Sequence, residues 1–148
     1  MKKKELKKEV EFGIENLDKI FNRILHFEKL VLDDRVKVSA FAYECLGYYN
    51  AIEHLIIRIL KYSRVEIPSG SFSHKKILMS FENKLHNRKI PVNEELIKLI
   101  ENLMAFRHVA TKIYGFLLDW KKLEFIIEDI KKCHNQVKAL FFGIIDQV

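Results

Sequence analysis

The stretch Phe106-Arg107-His108-Val109-Ala110-Thr111-Lys112-Ile113-Tyr114 gathers the side chains best suited to chemistry in this sequence. Read as a helix, residues seven apart lie two turns apart on one face, so Arg107 and Tyr114 share a face. Lys112 lies to the side of Arg107, and His108 is displaced by about 100° around the axis. A guanidinium grips phosphate through paired planar hydrogen bonds. An imidazole changes charge between pH 5 and 8 and can move a proton there. The group therefore suits a phosphate-bearing ligand. Its structural alternative is a solvated basic helix face that ends at Gly115.

The rest of the chain offers less. Asn50 and Glu53 fall in a long apolar segment near His54, where they could buttress the arginine, line its cleft, or make polar contacts inside a helical core. His74 and Lys75 open a short segment and could add to a basic surface. The six histidines are scattered. There is no zinc-type spacing, no H-E-x-x-H, no Gly-rich phosphate loop and no cluster of carboxylates, so neither a metal nor a cofactor is expected. Cys45 and Cys133 stand alone, which implies no disulfide framework and fits a reducing cytoplasm.

The net charge is +6 and the isoelectric point about 9.2, a balance that suits a polyanion. Part of it sits in Lys2, Lys3, Lys4, Lys7 and Lys8, which oppose a helix dipole at its positive end, so this end is expected to fray into solvent. No apolar run follows those lysines, so no signal peptide is expected. The most apolar stretch, Phe41 to Leu60, carries Glu44, Glu53, His54 and Arg58, which argues against a membrane span.

The elements that must position these residues are helices. Only five Gly and two Pro occur among 148 residues, and 49% of the chain is apolar. Apolar residues recur every three or four positions. A first helix is expected from Lys4 to Val31, with Phe12, Leu17, Ile20, Phe21, Ile24, Leu25 and Phe27 inward. A second, capped by Asp33 or Asp34, reaches Tyr62 and buries Val38, Phe41, Leu46, Tyr49, Ile52, Ile56 and Ile59. Gly47 within it suggests close helix contact. After the break at Ile67 to Ser71, Ser73 caps a short helix from His74 to Leu85. Asn93, followed by Glu94 and Glu95, starts a fourth that ends near Tyr114 or Gly115. Asp119 caps the last, from Trp120 to Ile145. Long amphipathic helices with short breaks predict an all-α fold: an antiparallel four-helix bundle with one additional short helix, forming a single domain over residues 1–148.

The segment from Phe106 to Tyr114, with Leu118-Asp119-Trp120 after it, resembles the signature of HEPN-domain ribonuclease toxins of the HepT class. That signature is Arg, four residues, His, one residue, Tyr, near the end of a late bundle helix. Arg107 and Tyr114 match its Arg and Tyr. Tyr48-Tyr49-Asn50-Ala51-Ile52-Glu53-His54 resembles the second helix of such proteins, and Ser71-Phe72-Ser73-His74-Lys75 the lead-in to their short third helix. The resemblance covers roughly residues 5 to 145.

It implies a homodimer whose two motifs form one composite cleft that cleaves RNA without a metal, either messenger RNA or tRNA. The 2′-hydroxyl attacks the adjacent phosphorus and leaves a cyclic phosphate and a 5′-hydroxyl. Arg107 would hold the phosphate as charge develops, and the His position would move the proton. His108, Asn50 and Glu53 become candidate RNA-binding or supporting residues. The resemblance further implies a minimal nucleotidyltransferase antitoxin, as in type VII toxin–antitoxin systems, which transfers AMP to Tyr114.

Lys112 stands where the family has His. A lysine's ordinary pKa lies about 4 units above that of histidine, so at pH 7 it stays charged and accepts a proton poorly. The expectation is an RNA-binding cleft with impaired cleavage. The alternative is a non-catalytic HEPN module that binds RNA, a nucleotide or the nucleotidyltransferase.

Overall fold

Side-chain caps set the starts of three helices in the computed structural model, which describes residues 2–112 and 118–148 and only the backbone of Lys112. Among these residues the chain forms α1 (Lys3–Glu28), α2 (Asp34–Tyr62), α3 (Ser73–Asn87), α4 (Glu94–Lys112) and α5 (Trp120–Gln147). The Asp33 carboxylate accepts from the backbone N–H groups of Arg35 and Val36. Asn93 Oδ1 accepts from Glu95 N–H at 2.9 Å, and Asp119 accepts from Lys121 N–H at 3.0 Å. Each satisfies a donor that the first helical turn leaves free.

The helices close into a ring. α1 packs on α2 and α5, α4 packs on α2 and α5, α2 also touches α5, and α3 lies against α2. Residue pairs between α1 and α2 run in opposite order, from Glu9 with Arg58 to Arg23 with Glu44, so the two are antiparallel. The result is the expected all-α arrangement, four bundle helices and a short fifth. Its core is contiguous, from Leu6 and Leu17 through Tyr48, Ile52 and Phe81 to Leu103, Ile130 and Phe141.

Several expectations need correction. The opening lysines do not fray: α1 already begins at Lys3, because Leu6 and Val10 are fully buried and anchor the turn that carries the lysines. At its other end α1 stops at Glu28 and not Val31, since Leu30 and Val31 are exposed and have no core to reach. Phe12 is 62% exposed. It lies about 140° around the helix from Leu17, outside the stripe that Leu6, Val10, Ile14, Leu17 and Ile24 form.

The close contact of α1 with α2 is not at Gly47, where an added Cβ would meet Ile20 Cδ1 at an ordinary 3.5 Å. It is at Gly13, where a Cβ would overlap Leu55 Cδ2 and lie 2.9 Å from its Cγ. Finally, Ser73 is the first residue of α3 and not its cap. The preceding Phe72 has left-handed φ of 62°, and the turn closes through Ser73 N–H to Gly70 O at 3.2 Å.

Candidate functional site

α2 presents two adjacent tyrosines to opposite neighbours, and each anchors a polar network. Tyr49, 2% exposed, points toward α3 and α4. Its hydroxyl donates to Glu53 Oε2 at 2.6 Å, one helical turn on. The same oxygen meets His74 Nδ1, from the start of α3, at 2.5 Å. The Tyr49 and His74 rings stand edge to face with centroids 6.1 Å apart. Burial pushes the Tyr49 phenol far up, and its bond to Glu53 and that carboxylate's charge push it further, whereas the Arg107 charge pulls it back down. Arg107, on α4, therefore lies within electrostatic reach of Tyr49.

Exposure within this group is graded. Tyr49 is buried, the Glu53 side chain is 16% exposed and that of His74 is 35% exposed. Arg107 is half-buried and His108 exposed. Thr111 ties its hydroxyl to the Arg107 carbonyl at 2.7 Å, one turn back along α4. α4 is described as far as Lys112. The Lys112 side chain and Tyr114 lie outside the described residues, as does the proposed helix end at Gly115.

Asn50 does not join this group. It lines a groove of about 670 Å³ between α1 and α2, with Lys8, Lys19, His54 and Arg58. On a helix it is displaced by about 100° from Tyr49, which suffices to turn it to another face.

Tyr48 carries the second network, inside the bundle. Its hydroxyl lies 2.9 Å from His134 Nδ1 on α5, and His134 Nε2 lies 2.8 Å from Asp18 Oδ1 on α1. Lys138 Nζ reaches the same Asp18 oxygen at 3.0 Å, and Phe21 stacks on the imidazole at 4.1 Å. Every partner is satisfied when neutral His134 carries its proton on Nε2, donating to Asp18 and accepting from Tyr48. Sequence reasoning missed this network. Its one signal was a histidine set among Ile127, Ile130, Val137 and Phe141, at the spacing of a buried stripe.

A family model described as HepT-like protein matches residues 40–146. The chain belongs to the HepT-like family. It is thereby a HEPN-type protein, of a family of toxin modules. No curated protein and no solved structure matches it. The matched span of this HepT-like chain includes Tyr49, Glu53, His74, Arg107, Lys112 and Tyr114, and omits α1 with Asp18. Among the described residues no three His, Cys, Asp or Glu side chains come together as metal ligands, and no helix is long and apolar enough to cross a membrane.

Proposed function

We propose that this HepT-like chain is the toxin of a toxin–antitoxin pair, a metal-independent endoribonuclease that works as a homodimer and whose cleavage Lys112 impairs. The observation that carries this reading is Arg107. It lies inside the matched span on α4, matches the arginine of the resembled signature, and its charge acts on Tyr49, whose hydroxyl bonds the Glu53 carboxylate that also meets His74. A cation seated there would neutralise an RNA phosphate as charge builds on it. Proteins of this family are usually ribonucleases.

In this proposal the two Arg107 residues of a dimer flank one RNA strand. A minimal nucleotidyltransferase antitoxin silences the cleft by placing AMP on Tyr114, since added phosphate there repels RNA. The net charge of +6 suits the polyanion. One observation favours a second reading, an RNA- or partner-binding module without catalysis: a lysine at the histidine position binds phosphate well but accepts protons poorly.

The test is cleavage of total RNA by this chain, by Lys112→His and by Arg107→Ala, with dimerisation and folding verified for each. Restoring the histidine should raise cleavage by roughly 10²-fold or more, the usual contribution of a positioned acid or base. Arg107→Ala should abolish it. If Lys112→His is a folded dimer that binds RNA and leaves it intact, the binding-module reading replaces this one.

A further inference from the structure

We propose that His74, oriented by Glu53, is an acid–base residue of the cleft and carries the cleavage that remains with lysine at position 112. The inference rests on the ribonuclease reading and adds a group that the Arg-to-Tyr signature does not contain. Its basis is geometric. Glu53 Oε2 holds His74 Nδ1 at 2.5 Å and Tyr49 braces the same oxygen at 2.6 Å. With Nδ1–H donated to a carboxylate, Nε2 is left as the nitrogen that can take a proton. A carboxylate in this position fixes the tautomer and stabilises the imidazolium once formed. The ring is partly exposed, so substrate can reach it, while Glu53 and Tyr49 are shielded.

The step balances without further reagents. The 2′-oxygen bonds to phosphorus as the P–O5′ bond breaks, the 2′-hydroxyl proton passes to His74 Nε2, and the departing 5′-oxygen takes a proton from water, whose hydroxide then recovers the proton from His74. The products are a 2′,3′-cyclic phosphate and a 5′-hydroxyl. Arg107 holds the phosphate oxygens throughout. Glu53 and Tyr49 are positioning residues, since they act through His74. The charged and titratable groups that meet His74 are Tyr49 and Glu53 on α2, with Lys75 and Lys76 next to it along α3; Arg107, on α4, acts on Tyr49.

The test compares the unaltered chain with His74→Gln, Glu53→Gln and Lys112→His, measuring RNA cleavage from pH 5 to 9, RNA affinity and melting temperature. The unaltered chain should cut slowly. His74→Gln should cut roughly 10²-fold more slowly still, with affinity unchanged and with an altered pH–rate profile. Glu53→Gln should also lower the rate, with affinity unchanged. Added imidazole should partly rescue His74→Ala. If His74→Gln melts lower but cuts as fast, the pair only pins α3 to α2 and the proposal fails while the ribonuclease reading stands. The same holds if only Lys112→His cuts. If neither cuts, both readings fall.

Discussion

A buried imidazole that must stay neutral makes stability depend on pH, and His134 is such a group. Burial lowers its pKa from 6.5, and Asp18 offsets only part of that. For Asp18, burial acts to raise the pKa, but the bonds from His134 and Lys138 outweigh it and the net value falls below 3.8. Both shifts have the same consequence. Wherever the unfolded chain binds a proton that the folded chain refuses, lowering the pH favours unfolding. The His134 contribution is complete above 6.5 and is lost as the pH falls below it; that of Asp18 is lost below 3.8. Thermal melts from pH 7.5 to 4.5 should therefore show falling stability. His134→Leu should flatten that slope and, by leaving the Tyr48 hydroxyl without its partner, cost about 1–3 kcal/mol at pH 7.5. An unchanged slope would show that His134 does not titrate on unfolding in this range. At this scale the sequence was only half legible. Arg107 and Glu53 could be marked from spacing and resemblance, but nothing local ties residue 74 to residue 53, or residue 134 to residues 18 and 48. Those meetings are made by the packing of α3 on α2 and of α5 across α1 and α2.

Helix packing decides which glycine matters. Gly13 and Gly47 both sit inside helices, where alanine is intrinsically better by about 1 kcal/mol. At Gly47 a methyl group finds ordinary contact, so Gly47→Ala should stabilise by up to about 1 kcal/mol. At Gly13 it would overlap Leu55, which is 1% exposed and has little room to move. Overpacking of that kind costs about 1–3 kcal/mol, so Gly13→Ala should destabilise despite its better propensity. Opposite shifts in urea-melt midpoints would verify the α1–α2 approach; two shifts of equal sign would refute it. The elements themselves were largely readable, because Asp33, Asn93 and Asp119 cap them and apolar spacing marks their inner faces. The turn ahead of α3 was not. Its left-handed Phe72 defies residue preference, as do Arg64 and Lys89, which carry left-handed φ just past α2 and α3. At those two helix ends, the N–H of Val65 bonds Leu60 O and that of Ile90 bonds Leu85 O at 2.9 Å each. Such ends usually take glycine, so the sequence offered no mark.

The whole molecule sets a basic, helical body around a half-buried arginine. α1 lies outside the family match, yet the Asp18 contact to His134 and the Gly13 contact to Leu55 make it part of the packed core. Its exposed lysines add positive charge without belonging to the Arg107 group. Long-range attraction of RNA to such a surface should weaken with salt, whereas the proposed cleavage rests on a few side chains of α3 and α4. The direct measurement of the central claim is therefore the chemistry of the cut ends. RNA is treated with the Lys112→His chain in excess chelator, and the new termini are identified. The account predicts cleavage that leaves 2′,3′-cyclic phosphate and 5′-hydroxyl ends and that disappears when Arg107→Ala is added. Intact RNA, or ends bearing a 5′-phosphate, would contradict it.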